Sequence, residues 1–284
     1  MGLIDFILNV ACLLLWLNWR GARFDPLTAS KPATLTGTLR RAEPLRFGRW
    51  LLPVALLIVL SVRALFYRQL GPAIRWTASL DFGAVSLPFR SDRFSLMTLY
   101  STLSFLHALL ICYFWLLFIS AVNGNSGAAD PFQKLIRLHL GAAVRLPWYV
   151  QLLLSILVAA LAWMAIHPLL VRAGVSSSTA ISHLTLQGLI VGGGLILTLK
   201  YLIPAFFLVH LVTSYIFLGR NPFWDFVTLT ANNLLAPLRR LPLQIGKVDI
   251  APFVGIGLIL LLLHTLPNFV QAWLHRHDRT IWPH

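Results

Sequence analysis

The chain has 284 residues, of which 58% are hydrophobic and 11% charged. A soluble domain carries roughly one-quarter charged residues, so this composition argues against a water-soluble fold. The net charge of +14 does not point to nucleic acid, because the basic residues lie between apolar stretches rather than along one arm or helix face.

Six apolar blocks follow in chain order: Leu3 to Trp19, Trp50 to Phe66, Phe94 to Ile119, Trp148 to Val171, Leu184 to Leu218 and Ile250 to Leu266. Each is long enough to span hydrocarbon. None has the in-out alternation of a barrel strand, so helices are expected, with backbone polar groups paired inside each segment. The first block has no basic leader and carries Asp5 near its start, so it reads as a retained helix and not as a cleaved signal. Trp16, Trp19, Trp50, Tyr67, Tyr100, Trp148 and Tyr215 stand near block ends, where aromatic rings favour the lipid-water boundary. Cys12 and Cys112 lie inside blocks without metal-ligand spacing and read as small apolar residues.

Between the second and third blocks, residues 74–89 alternate apolar and polar around Gly83, which predicts a small β-hairpin on the outer face. The fifth block is too long for one simple crossing. Gly192-Gly193-Gly194, Lys200 and Pro204 are expected to interrupt it, giving a crossing near Lys200 to Leu218 preceded by an extension. The first, third and fifth loops hold fourteen Lys and Arg against seven in the others. That excess predicts these loops on the cytoplasmic side and both termini outside.

Each of those three loops opens with an Asx-Pro-apolar step: Asp25-Pro26-Leu27, Asp130-Pro131-Phe132 and Asn221-Pro222-Phe223. Asx caps a helix start and Pro fits its first position, so each step should open a short helix. In the second, Phe132, Leu135, Ile136, Ala143 and Val144 are expected on one face, with Gln133, Lys134 and Arg137 pointing elsewhere. In the third, Phe223, Phe226, Val227 and Leu234 repeat that logic, whereas Pro32 would break a helix in the first. The expected fold is an all-α membrane protein of about six transmembrane helices. They are arranged as three helix-loop-helix repeats with cytoplasmic interfacial helices: repeat one over 1–93 with the hairpin, repeat two over 94–183, repeat three over 184–284.

Three further stretches lie in the third repeat: Phe217 to Phe226, containing Asn221, Pro222, Trp224 and Asp225; Leu235 to Pro242, containing Pro237, Arg239 and Arg240; and Val248 to Phe253, containing Asp249. Together these resemble the YggT family of bacterial and plastid membrane proteins in motif order and spacing, over residues 212–262. Ala251 stands where that family usually has Ser, the Leu-Pro after the paired Arg falls early, and a third repeat departs from the usual one or two. The resemblance implies a non-enzymatic multi-pass protein of the bacterial inner membrane, concerned with envelope or division-site organisation and osmotic tolerance. A plastid relative assists haem attachment to a cytochrome b subunit.

Several residues carry candidate roles. Arg239 and Arg240 present guanidinium forks that suit lipid phosphates or a partner's carboxylates, or serve as orientation charge alone. Asp249 caps the last helix or pairs with one of them. Lys200, the cation singled out inside an apolar block, either snorkels to the outer boundary or serves function. His107, His167, His210 and His264 lie in separate helices and raise the idea of haem ligation, though single helical histidines are usually packing residues. No catalytic constellation or metal-ligand set appears, and Gly192-Gly193-Gly194 lacks the residues that complete a phosphate loop. It suits close helix approach instead. The expected role is that of a scaffold, assembly factor or complex subunit, with anionic lipid headgroups and other membrane subunits as partners and no cofactor. The alternatives are a small transporter or channel using Lys200, Asn123 or Asn232, and a haem-handling assembly factor.

Overall fold

A computed structural model describes residues 2–21, 50–73, 76–82, 86–124, 131–176, 181–216, 219, 221–240, 244–245 and 248–276. The apolar blocks form helices, as a medium without competing water requires. The described helices, with α4 and α8 lying between blocks, are in order α1 (Gly2–Gly21), α2 (Leu51–Ala73), α3 (Phe94–Val122), α4 (Pro131–Leu140), α5 (Trp148–Arg172), α6 (Ile181–Leu197), α7 (Leu199–Tyr215), α8 (Pro222–Leu235) and α9 (Ala251–Arg276). Strands β1 (Ala78–Asp81) and β2 (Ser86–Phe89) pair as a two-stranded sheet. Gln244–Ile245 and Val248–Asp249 pair antiparallel just before α9.

Among the described residues, five helical segments are long and apolar enough to cross a membrane: α1, α2, α3, α5 and the run His183–Tyr215. Ala251–Leu266 is a shorter apolar helix. Leu3, Phe6, Leu14, Leu57, Leu153, Leu161 and Leu261 are exposed, whereas Arg63, Asn123, Gln187 and Thr230 are buried. Large apolar side chains turned outward over polar ones turned inward are what a hydrocarbon solvent selects.

Two compact units are present. One comprises residues 1–80 and 88–109, so it holds α1, α2 and the first half of α3. Cys12, Leu56, Leu60 and Phe105 form its apolar core, with Trp16 and Leu109 against it. The other comprises 81–87 and 110–284. Its core joins Phe114 and Ile136 to Leu202, Phe207, Phe226 and Leu235. The division passes through α3.

In the second unit α6 lies close against α5. A β-carbon added at Gly192 would come 2.5 Å from the Ile156 carbonyl oxygen, and one at Gly188 3.0 Å from that of Ala160. Small residues let two backbones approach in this way, and dispersion then replaces the missing hydrophobic drive between helices in lipid. The glycine triplet therefore stays helical inside α6 and does not interrupt it. Pro204 likewise stays inside α7. The interruption falls at Thr198, whose amide and hydroxyl both bond to the Leu195 carbonyl, at 3.1 and 2.6 Å. Trp115 Nε1 donates to the same hydroxyl at 2.9 Å. These bonds satisfy the groups freed by the break, which is why it falls there.

Helix α4 also corrects the expected face. Gln133, Ile136 and His139 are buried, while Leu135 is exposed. The helix ends at Leu140, and Gly141, at φ +59°, turns the chain into a 3₁₀ turn over Gly141–Arg145. Ala143 and Val144 thus belong to that turn and not to the face of α4. Gln133 faces inward because its Nε2 donates to the Asn123 carbonyl at 3.0 Å, meeting an acceptor left open at the end of α3. Asp25, Pro26, Arg40, Arg41 and Asp130 lie outside the described residues.

Candidate functional site

The first unit holds a polar cluster built from three helix stripes. On α1, Asp5 and Asn9 are four residues apart; on α2, Arg63 and Tyr67; on α3, Tyr100 and Ser104. That spacing puts each pair on one helix face. The three faces meet around the Arg63 guanidinium, which is 1% exposed. Its Nη2 donates to Asp5 Oδ1 at 2.5 Å and to Ser104 Oγ at 2.9 Å, and its Nη1 donates to Asn9 Oδ1 at 2.8 Å. Asn9 Nδ2 donates to Ser104 Oγ at 3.0 Å.

The Asp5 carboxylate is held from the other side by two phenols. Tyr67 donates to Oδ1 at 2.6 Å and Tyr100 to Oδ2 at 2.9 Å. The guanidinium carbon stands 5.6 Å from the centroid of each of those rings, within reach of a cation-π attraction. Trp76 packs at 5.0 Å on Tyr67, and Phe89 at 5.5 Å on Tyr100. Tyr67 and Tyr100 are therefore buried donors to Asp5. Trp50, Trp148 and Tyr215 are exposed.

Arg63, not Lys200, is the deeply buried cation among the described residues. Lys200 is half-buried, with its ammonium 5.1 Å from the Tyr201 ring centroid. The signal for Arg63 lay in the sequence: three apolar blocks each carry a pair of polar side chains at a four-residue interval.

A second polar set lies where α3, α4 and α8 meet. Asn123 Nδ2 donates to Thr230 Oγ1 at 2.7 Å, and Asn233 Nδ2 donates to Asn123 Oδ1 at 2.9 Å. The ring of Phe132 stacks on Phe226 at 5.5 Å and meets Phe223 edge-on at 5.6 Å, joining α4 to α8.

Asn221, Pro222, Trp224, Asp225, Pro237 and Arg239 fall at or near the two ends of α8. Asn221 is its N-cap, accepting from the Phe223 amide at 3.0 Å, and Pro222 is at the first position. Asp225 is exposed in the first turn, where the helix dipole favours an anion. Trp224 is half-buried, its ring 4.9 Å from Phe223. Pro237 is exposed in the turn after α8, and the exposed Arg239 donates to Asn232 Oδ1 at 2.7 Å. The side chains of Arg240 and Asp249 lie outside the described set, while the Asp249 backbone pairs with Gln244. His210 is buried on α7, and its carbonyl accepts from Thr213 and Ser214 at 2.9 and 2.8 Å. His264 is exposed on α9. Among the described residues no three His, Cys, Asp or Glu side chains converge as a metal site would need.

Compared with protein-family models, curated proteins and solved structures, the chain matches none.

Proposed function

We propose that this is a non-enzymatic multi-pass membrane protein acting as a scaffold, assembly factor or subunit of a larger bacterial envelope complex. One observation carries the reading: the polar side chains of α1, α2 and α3 are engaged with one another around Arg63, while the outward faces are apolar. Polar groups used to join helices supply no reactive centre, and apolar outer faces suit lipid or other membrane helices. The similarity of residues 212–262 to the YggT family adds to it.

The same reading places the protein in the inner membrane, with both termini and the strand pair near residues 74–89 outside and the three Asx-Pro loops inside. Its exposed cations, Arg239 among them, suit anionic headgroups on that inner face.

Mild-detergent extraction from cross-linked membranes tests the scaffold role. A stable assembly larger than the protomer, with defined additional subunits, is expected; a monodisperse lone protomer would overturn it. Cysteines placed at Arg40 and Arg239 should react with an impermeant reagent from the same side. Labelling from opposite sides would refute the orientation, and release of the chain by alkaline carbonate would refute the membrane assignment itself.

A second reading, a small transporter or channel, draws on the Asp5–Arg63 ion pair, since charges within membrane helices are costly and often lie on ion pathways. Purified protein in liposomes that moves ions or protons, and stops doing so in Asp5→Asn, would favour that reading over the scaffold.

A further inference from the structure

Within the second unit a cavity of ≈ 910 Å³ lies beside the end of α3, α4, the Gly141 turn and the start of α5. One part of its wall is apolar, from Ile119, Ile136 and Trp148, and another is polar and cationic, from Gln133, Arg137 and Arg145. Among the described residues no Asp or Glu lines it. Arg137 and Arg145 are exposed, and among the described residues neither is in an ion pair. Arg137 bonds Gln133 Oε1 at a long 3.3 Å.

Two amide side chains hold the walls. Gln133 ties α4 to the Asn123 carbonyl just past the end of α3. Gln151 donates through Nε2 to the carbonyls of Val144 and Leu146 at 3.1 and 2.8 Å, fixing the 3₁₀ turn to α5. The cavity is thus formed before any ligand arrives, as small-molecule sites usually are. Arg137 precedes the Gly141 turn on α4 and Arg145 is its last residue. Trp148 and Tyr149 open α5 as a pair of exposed rings beside it, a placement that suits the headgroup level of a bilayer.

We infer that this cavity binds the headgroup and glycerol of an anionic phospholipid, with Arg137 and Arg145 on the phosphate and the apolar wall against the start of the acyl chains. The inference rests on the membrane reading above and adds a ligand to it. Guanidinium forks match phosphate oxygens in geometry and charge. A soluble phosphate would use the cationic wall alone, whereas a lipid uses both walls.

The test is native mass spectrometry and thermal unfolding of the full chain in detergent, titrated with phosphatidylglycerol, phosphatidylcholine, glycerol 3-phosphate or inorganic phosphate. Phosphatidylglycerol should bind and raise the unfolding midpoint. Arg137→Gln and Arg145→Gln should each weaken binding about tenfold, and more together, since a charge-assisted hydrogen bond is lost each time. Lys134→Gln, which removes an exposed cation of the same helix away from the cavity, should leave binding unchanged. Equal binding of phosphatidylcholine, or unaltered binding by the double variant, would overturn the inference. An equal effect of either soluble phosphate would overturn the lipid assignment. Because both arginines are exposed, the variants should keep the wild-type midpoint without ligand. A failure of lipid binding in a chain that still resists carbonate extraction would sink this inference and leave the membrane reading intact.

Discussion

Asp5 and Arg63, 58 positions apart in the chain, meet at 2.5 Å with the guanidinium wholly buried. Removing one partner leaves the other charge uncompensated in a low-dielectric interior, at a cost of about 3–5 kcal/mol. Asp5→Asn and Arg63→Met should therefore each lower the unfolding midpoint in detergent strongly. The double variant should recover a large part of the loss. A double-mutant cycle showing simple additivity would mean that the pair is not coupled.

Crowding of α5 and α6 gives a sharper contrast. Gly192→Leu forces a side chain into the Ile156 carbonyl, so the two helices must separate. A β-carbon at the neighbouring Gly193 meets nothing within 4 Å. Gly193→Ala should then be neutral or stabilising, by up to about 1 kcal/mol, through reduced chain entropy. Disulfide trapping between cysteines on α5 and α6 should fall in the first variant and persist in the second.

The start of α8 offers a local test. Asn221→Ala removes the acceptor for the Phe223 amide and should cost about 0.5–2 kcal/mol, with Asn221→Asp restoring most of it. Amide hydrogen exchange over residues 223–226 should accelerate in the alanine variant alone. Equal protection in all three proteins would show that the cap contributes nothing.

Asn123 joins α3 to Thr230 and Asn233 while its carbonyl accepts from Gln133. Asn123→Leu removes the donor to the buried Thr230 hydroxyl and one of the two acceptors of Asn233, which keep their bonds to the Phe226 and Val122 carbonyls, and should cost about 1–3 kcal/mol in all. A thermal midpoint within one degree of wild type would count against that network.

The helical membrane class was legible because block length and charge depletion are one-dimensional properties of the chain. The cap at Asn221-Pro222 was legible for the same reason, being local. What joins helices was not. The four-residue polar pairs mark a face on each of α1, α2 and α3, but nothing in the chain says that the three faces meet, with the Tyr67 hydroxyl and the Arg63 guanidinium on one Asp5 carboxylate. The face of α4 escaped because a single buried Gln133, drawn inward by one open carbonyl, outweighs the preference of Leu135 for burial. The break at Thr198 escaped because the strong local signals, three glycines and a proline, are both absorbed by packing.

That break also bears on how the chain meets membranes of different depth. The run His183–Tyr215 has 33 residues and would reach about 50 Å if straight, against a hydrocarbon slab of about 30 Å. Surplus length of this kind is absorbed by tilting, kinking or local thickening of the bilayer, and the tightened turn at Thr198, whose amide bonds three residues back to Leu195, falls inside the run. A thinner slab would therefore ask for more of that accommodation from the same stretch of helix.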